Sequence, residues 1–148
     1  MRSIPTRSVL LRRVNWLVTF IILLLVAFAL RVFRLDFQSL WYDEAFSVYL
    51  AQFNLADITA RTAADIQPPL YYYLVAGWTR LAGRGEWALR FPSAFFGVLT
   101  VPLLWAIGRR LFGRGRPGQI ASLAAASLAA LSPLYVYYAQ EARMYTLL

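Results

Sequence analysis

Asp43 and Glu44 stand side by side in the run Trp41-Tyr42-Asp43-Glu44, shortly after an apolar stretch, Val14 to Leu30, that is long enough to cross a bilayer. Ionisable groups at a membrane boundary are costly to keep there and are functional candidates for that reason. The pair reads in two ways. One carboxylate could serve as a general base with the other as its neighbour, or the acids could cap a following helix by sitting at the positive end of its dipole. The chain has no histidine and no cysteine, which removes an imidazole base, a thiolate nucleophile, a disulfide and a cysteine–histidine zinc site. Acid–base chemistry therefore falls to carboxylates, tyrosines or arginine-assisted groups.

Three further charged residues lie at junctions between apolar and polar sequence. Arg90, in Leu89-Arg90-Phe91-Pro92-Ser93, opens a second apolar stretch. It reads either as a snorkelling anchor or as a guanidinium clamp for a lipid phosphate. Glu141 and Arg143, in Gln-Glu-Ala-Arg-Met-Tyr, follow a third. Two residues apart, they do not share one helix face, but in an irregular segment they could point into one cavity. Tyr42, beside the acids, suits an interface or the face of a sugar. The clusters Tyr71-Tyr72-Tyr73 and Tyr135/Tyr137/Tyr138 read more readily as aromatic belts than as sugar platforms.

The elements that must position these residues are helical and membrane-bound. Of 148 residues 60% are hydrophobic, and three long apolar stretches give spans at about 14–33, 91–108 and 119–139. Net charge is +8, and all the basic residues are arginine. Four arginines precede the first span and four lie within 108–118, with no acid in either place, which is the positive-inside pattern of cytoplasmic loops rather than a nucleic-acid surface. The first span then exits, the second returns and the third exits. The loop at about 34–90 is thereby extracytoplasmic, and the N-terminus is cytoplasmic. The small-x-small run Ala27-Phe28-Ala29 resembles a signal-cleavage site, but the apolar run is too long for a signal core, and we read it as an uncleaved anchor.

Within the loop, Phe46, Tyr49, Leu50 and Phe53 recur at helical spacing, opposed by Ser47, Gln52 and Asn54, and Asn54 can cap a second helix from Leu55. Pro68-Pro69 ends that segment. The run from Pro69 to Ala82 is apolar but only fourteen residues long and contains Arg80, which suits an interfacial helix. The expected fold is thus an all-α polytopic membrane protein, with three transmembrane helices and extracytoplasmic juxtamembrane amphipathic helices. Because another apolar run begins at Thr146-Leu147-Leu148, we expect these residues to be the N-terminal part of a larger membrane domain.

These residues, in this order, resemble the lipid-phosphate-sugar-dependent glycosyltransferases of the C-type fold. The likeness is to the bacterial branch of the protein O-mannosyltransferase and aminoarabinose-transferase superfamily. The matching pieces are Leu40-Trp41-Tyr42-Asp43-Glu44-Ala45, Pro68-Pro69-Leu70-Tyr71-Tyr72, Leu89 to Ala94, Gly108-Arg109-Arg110-Leu111-Phe112-Gly113, and Ser132-Pro133 followed by Gln140 to Tyr145. The resemblance implies an integral membrane enzyme of ten or more spans, whose first extracytoplasmic loop carries an Asp-Glu motif. It makes Asp43 the catalytic base with Glu44 beside it, and places Arg90 at the substrate. Relatives often have histidine before the Pro-Pro, where this chain has Gln67, which sets Gln67 among the substrate-binding candidates and weakens any case for a metal there.

The implied reaction suits the residues. A polyprenyl-phosphate sugar carries its own leaving group, so one carboxylate to take the acceptor proton suffices for an inverting displacement, whereas glycosidases need two. Arginines would stabilise the departing phosphate. The implied partners are that donor, a lipid, glycan or protein acceptor and membrane lipids. No cofactor is required, although a divalent cation is compatible. Two other readings stand beside it: a transporter or flippase of lipid-linked or anionic substrates, and a non-catalytic membrane assembly subunit. Transporters more often place charge mid-span, and these span interiors carry none.

Overall fold

The computed structural model describes residues 7–147, with side chains from residue 15 onward. Arg2 and the side chains of Arg7, Arg12 and Arg13, counted above for orientation, lie outside the described residues. The chain runs α1 (Arg7–Val32), α2 (Tyr42–Leu50), α3 (Leu55–Ala64), α4 (Leu70–Ala82), α5 (Glu86–Leu111), α6 (Arg116–Leu131), α7 (Pro133–Ala139) and a 3-10 turn, Met144–Thr146. No strand occurs among the described residues. The fold is all-α, and α1 and α5 are each long and apolar enough to cross a membrane.

The third span departs from expectation. It is two helices, α6 and α7, bent by 56° at Ser132-Pro133. Proline has no N–H to continue the ladder, so the carbonyls of the preceding turn lose their partners. Arg31, at the end of α1, supplies them: Nη2 donates to Ala129 O (2.9 Å) and Nη1 to Ala130 O (3.1 Å), while Nη1 also bonds Ala27 O (3.1 Å) within its own helix. The side chain is 1% exposed and, among the described residues, has no carboxylate partner. Arg31 is thus a buried cap on the break in the third span.

Helix α5 is the centre of the bundle, packing against α1, α4, α6, α7 and the 3-10 turn. Small residues let it approach closely, as is usual where helices pack in lipid. A Cβ at Gly97 would come within 2.6 Å of Ala139 Cβ and 3.1 Å of Arg31 Nε, and one at Gly108 within 2.8 Å of Ser122 Cα. Ala27, Val101, Ala126 and Ala130 form the spanning core, closed on one side by the stacked rings of Phe20 and Trp105. Leu17, Ile21, Ile22 and Leu25 on α1 stay about half exposed, as a lipid-facing flank would.

A second core joins the loop helices to the bundle: Leu50, Ile58, Tyr71, Tyr72, Val75, Leu89 and Ala142. Asn54 caps α3 as its sequence predicts, accepting from Asp57 N (2.9 Å). Two expectations fail in this core. Tyr71 and Tyr72 are 1% and 0% exposed, so they fill the interior rather than form a belt. Ser47, assigned to the polar face of α2, is fully buried, because α2 is covered on that side by the segment after α7.

Candidate functional site

Helix α2 begins at Tyr42, so Asp43 and Glu44 occupy its first turn. Successive residues on an α-helix point about 100° apart, and the two carboxylates accordingly face different surroundings. Glu44 turns inward. It is 1% exposed, its Oε2 lies 2.6 Å from Arg90 Nη2 and its Oε1 lies 2.8 Å from Arg90 Nε. Oε1 also accepts from the Ala142 N–H (2.8 Å), and Oε2 reaches back to Trp41 N (3.4 Å) as the side-chain half of a capping box. Burial alone would raise this carboxyl's pKa. The Arg90 guanidinium and the Ala142 N–H outweigh that and hold it below the usual carboxylate range. Glu44 is therefore the helix cap and the ion-pair partner.

Arg90 is committed just as fully. Besides the two bonds to Glu44, Nη1 donates to Leu35 O and Gln38 O (both 2.8 Å) and Nη2 to Ser39 O (3.4 Å). A guanidinium has five N–H donors, and all five are used. The geometry leaves Arg90 no free donor for a phosphate, although it borders the cavity that Glu141 lines. It is neither a snorkelling anchor nor an open clamp; it ties the turn after α1 to the start of α2.

Asp43 faces the other way, into a cavity of about 550 Å³ lined by Tyr42, Phe46, Tyr49, Arg61, Asp65, Gln67 and Arg143. That volume lies in the range of small-molecule sites. Among the described residues the Asp43 carboxylate makes no hydrogen bond and no ion pair. Arg143 crosses above it, donating from Nη1 to the Asp43 carbonyl (3.2 Å), with its guanidinium 5.8 Å from the Tyr145 ring centre. Gln67 sits in the wall, accepting from the Tyr72 hydroxyl and donating to Asp65. Tyr42 is 89% exposed at the rim.

Arg61 was missed by sequence reasoning. It projects from α3 into this cavity, bonded to the Tyr49 hydroxyl (2.8 Å) and 4.0 Å from the Phe53 ring centre. A signal existed, since Arg61 is the sole basic residue between Asp43 and Arg80. It had no motif around it to raise it above a solvated helix face.

Glu141 does not join Asp43. The segment after α7 is irregular, but it sends its two charged side chains to different cavities. Glu141 lines a separate cavity of about 610 Å³ with Trp41, Phe37, Arg34 and the outer edges of Glu44 and Arg90. There burial raises its pKa above the usual value, offset only in part by the Tyr137 hydroxyl.

The fold is that of an all-helical membrane protein, and its loop helices enclose a cavity that holds the Asp43 carboxylate, unpaired among the described residues, with the guanidiniums of Arg61 and Arg143. The family model of the dolichyl-phosphate-mannose-protein mannosyltransferases matches residues 66–147, more than half of the chain, and the chain belongs to that family of membrane glycosyltransferases. No curated protein and no solved structure matches it. The matched stretch contains Gln67, Arg90, Glu141 and Arg143. Asp43 and Glu44 precede it and are tied to it by the Glu44–Arg90 pair and the Arg143–Asp43 bond.

Proposed function

We propose that the protein moves a sugar from a polyprenyl-phosphate donor to an acceptor hydroxyl, with Asp43 as general base. The acceptor oxygen attacks the anomeric carbon as Asp43 takes its proton. The bond from that carbon to the phosphate oxygen breaks, and polyprenyl phosphate leaves with inverted configuration at the sugar. The observation that carries this reading is the division of labour in the acid pair: Glu44 is locked to Arg90, and Asp43 alone is free in a cavity that holds two arginines. Arg143 is the phosphate ligand in this scheme, with Arg61 lending charge from the opposite wall. Gln67 and Tyr42 contact the sugar, and the phosphate role expected of Arg90 passes to Arg143. Glu141, in the neighbouring cavity, is left for the acceptor side.

We place the site on the extracytoplasmic face of the cell membrane and the N-terminus in the cytoplasm, with these spans forming part of a longer multi-span domain. Arg90 stands near one end of α5, and Arg109 and Arg110 near the other, about 30 Å apart along the helix. That separation supports putting the arginine-rich loop at 109–116 on the side opposite Asp43, in keeping with the positive-inside rule. No resident cofactor is part of the reading.

The test is transfer from polyprenyl-phosphate mannose, labelled in the sugar, to a panel of lipid, glycan and peptide acceptors in proteoliposomes. Release of polyprenyl phosphate with a product of inverted configuration is expected. Movement of intact donor across the bilayer without cleavage would replace the enzyme with a flippase.

A further inference from the structure

The segment between α7 and the 3-10 turn has no helical neighbours for its main-chain groups, so buried side chains serve them. Ser47 Oγ donates to the Ala142 carbonyl (2.7 Å), and Ser93 Oγ donates to the Arg143 carbonyl (2.9 Å). A hydroxyl has one proton to give, so the Tyr71 hydroxyl, 2.9 Å from Ser93 Oγ, must be the donor in that third contact. Arg143 N is held in turn by Glu141 O (2.8 Å). The peptide units on both sides of the Arg143 Cα are thereby pinned, in extended backbone at φ −136 and ψ 163. Fixing both peptides fixes the direction of the Cα–Cβ bond from which the guanidinium reaches toward Asp43.

Neither serine belongs to the wall of the Asp43 cavity, and both are 0% exposed. Their side chains reach the site through the carbonyls of residues 142 and 143. We propose that Ser47 and Ser93 are positioning residues that hold Arg143 in place to receive the donor phosphate. This rests on the reading of Arg143 as the phosphate ligand. Ser47 comes from the loop helix α2 and Ser93 from the spanning helix α5, so the two register the loop against the bundle at the position of the ligand arginine.

The experiment measures equilibrium binding of polyprenyl-phosphate mannose to the membrane protein purified with any flanking sequence of its reading frame in place. The variants are Ser47→Ala, Ser93→Ala, Arg143→Ala and Ser47→Ala/Arg143→Ala. Each serine variant should weaken binding roughly three- to tenfold, as loss of one buried hydrogen bond allows. In the Arg143→Ala background, Ser47→Ala should add nothing, because the two act through one group. Serine variants that bind as the parent does, while Arg143→Ala binds weakly, would overturn the positioning role and leave the phosphate ligand standing. So would a Ser47→Ala loss of equal size with and without Arg143. Unchanged binding by Arg143→Ala itself would instead remove the phosphate ligand, and the positioning role with it.

Discussion

Glu44→Gln should unfold the protein more readily without touching the reacting atoms. The substitution keeps the shape of the side chain but puts an amide N–H₂ where Arg90 now finds a carboxylate at 2.6 Å. In one orientation the amide NH₂ faces Arg90 Nη2 and Trp41 N, and in the other it faces Arg90 Nε and the Ala142 N–H. In both cases the Arg90 guanidinium, 5% exposed, remains buried with its charge uncompensated. Removing one partner of a buried pair costs about 3–5 kcal/mol. A chain of this size should then melt on the order of 10 °C lower. The pH dependence has a definite sign. Because the folded state holds Glu44 below the usual carboxylate range, its contribution is complete at neutral pH and is lost as pH falls through the folded value. The gap between parent and variant should therefore close in acid, below about pH 4. The assay is thermal unfolding of purified protein in detergent, read by scattering and intrinsic tryptophan fluorescence from pH 3.5 to 8. Equal melting temperatures at pH 7, or a gap that widens in acid, would refute the reasoning. Replacing Glu44 and Arg90 together by methionine should cost less than the sum of the single replacements.

Glu141 carries the opposite sign. Its folded-state pKa is raised by burial, so its contribution is most favourable below the usual carboxylate range and declines as pH rises through the folded value. Glu141→Gln should raise the melting temperature at pH 8 and leave it unchanged near pH 4, in the same unfolding assay. Gly97→Ala puts a methyl group 2.6 Å from Ala139 Cβ, and should lower stability by about 1–3 kcal/mol by forcing α5 away from α7 and Arg31. Since the chain has no native cysteine, a cysteine introduced at Ser39 should react with an impermeant thiol reagent added outside, and one at Gly115 should not. Labelling of both from one side would contradict the orientation.

Much of the architecture was legible because it follows from local rules. The apolar runs marked α1 and α5, Asn54 marked the start of α3, and Pro68-Pro69 marked the gap before α4. The Asp43-Glu44 pair stood out in the sequence, but the sequence could not say which acid was free. That depends on Arg90, 46 residues away, and on the Ala142 N–H, 98 residues away. The third span was read as one helix because its composition is uniformly apolar; the 56° break needs Arg31 to cap carbonyls 98 and 99 residues distant. Ser47 looked like a solvent-facing polar residue for the same reason. A hydroxyl is equally at home in water or on a buried carbonyl, and only the partner decides.

The central claim is that Asp43 takes the acceptor's proton, and one comparison tests it most directly. Asp43→Asn preserves the size of the side chain in a position that holds no partner among the described residues, so the variant should fold and bind polyprenyl-phosphate mannose as the parent does. Loss of a general base lowers rate by about 10²–10⁴. Sugar transfer by the purified variant should fall by at least the smaller of these factors with donor binding retained. Near-parental transfer would contradict the account, and so would a variant that fails through lost donor binding instead of lost turnover.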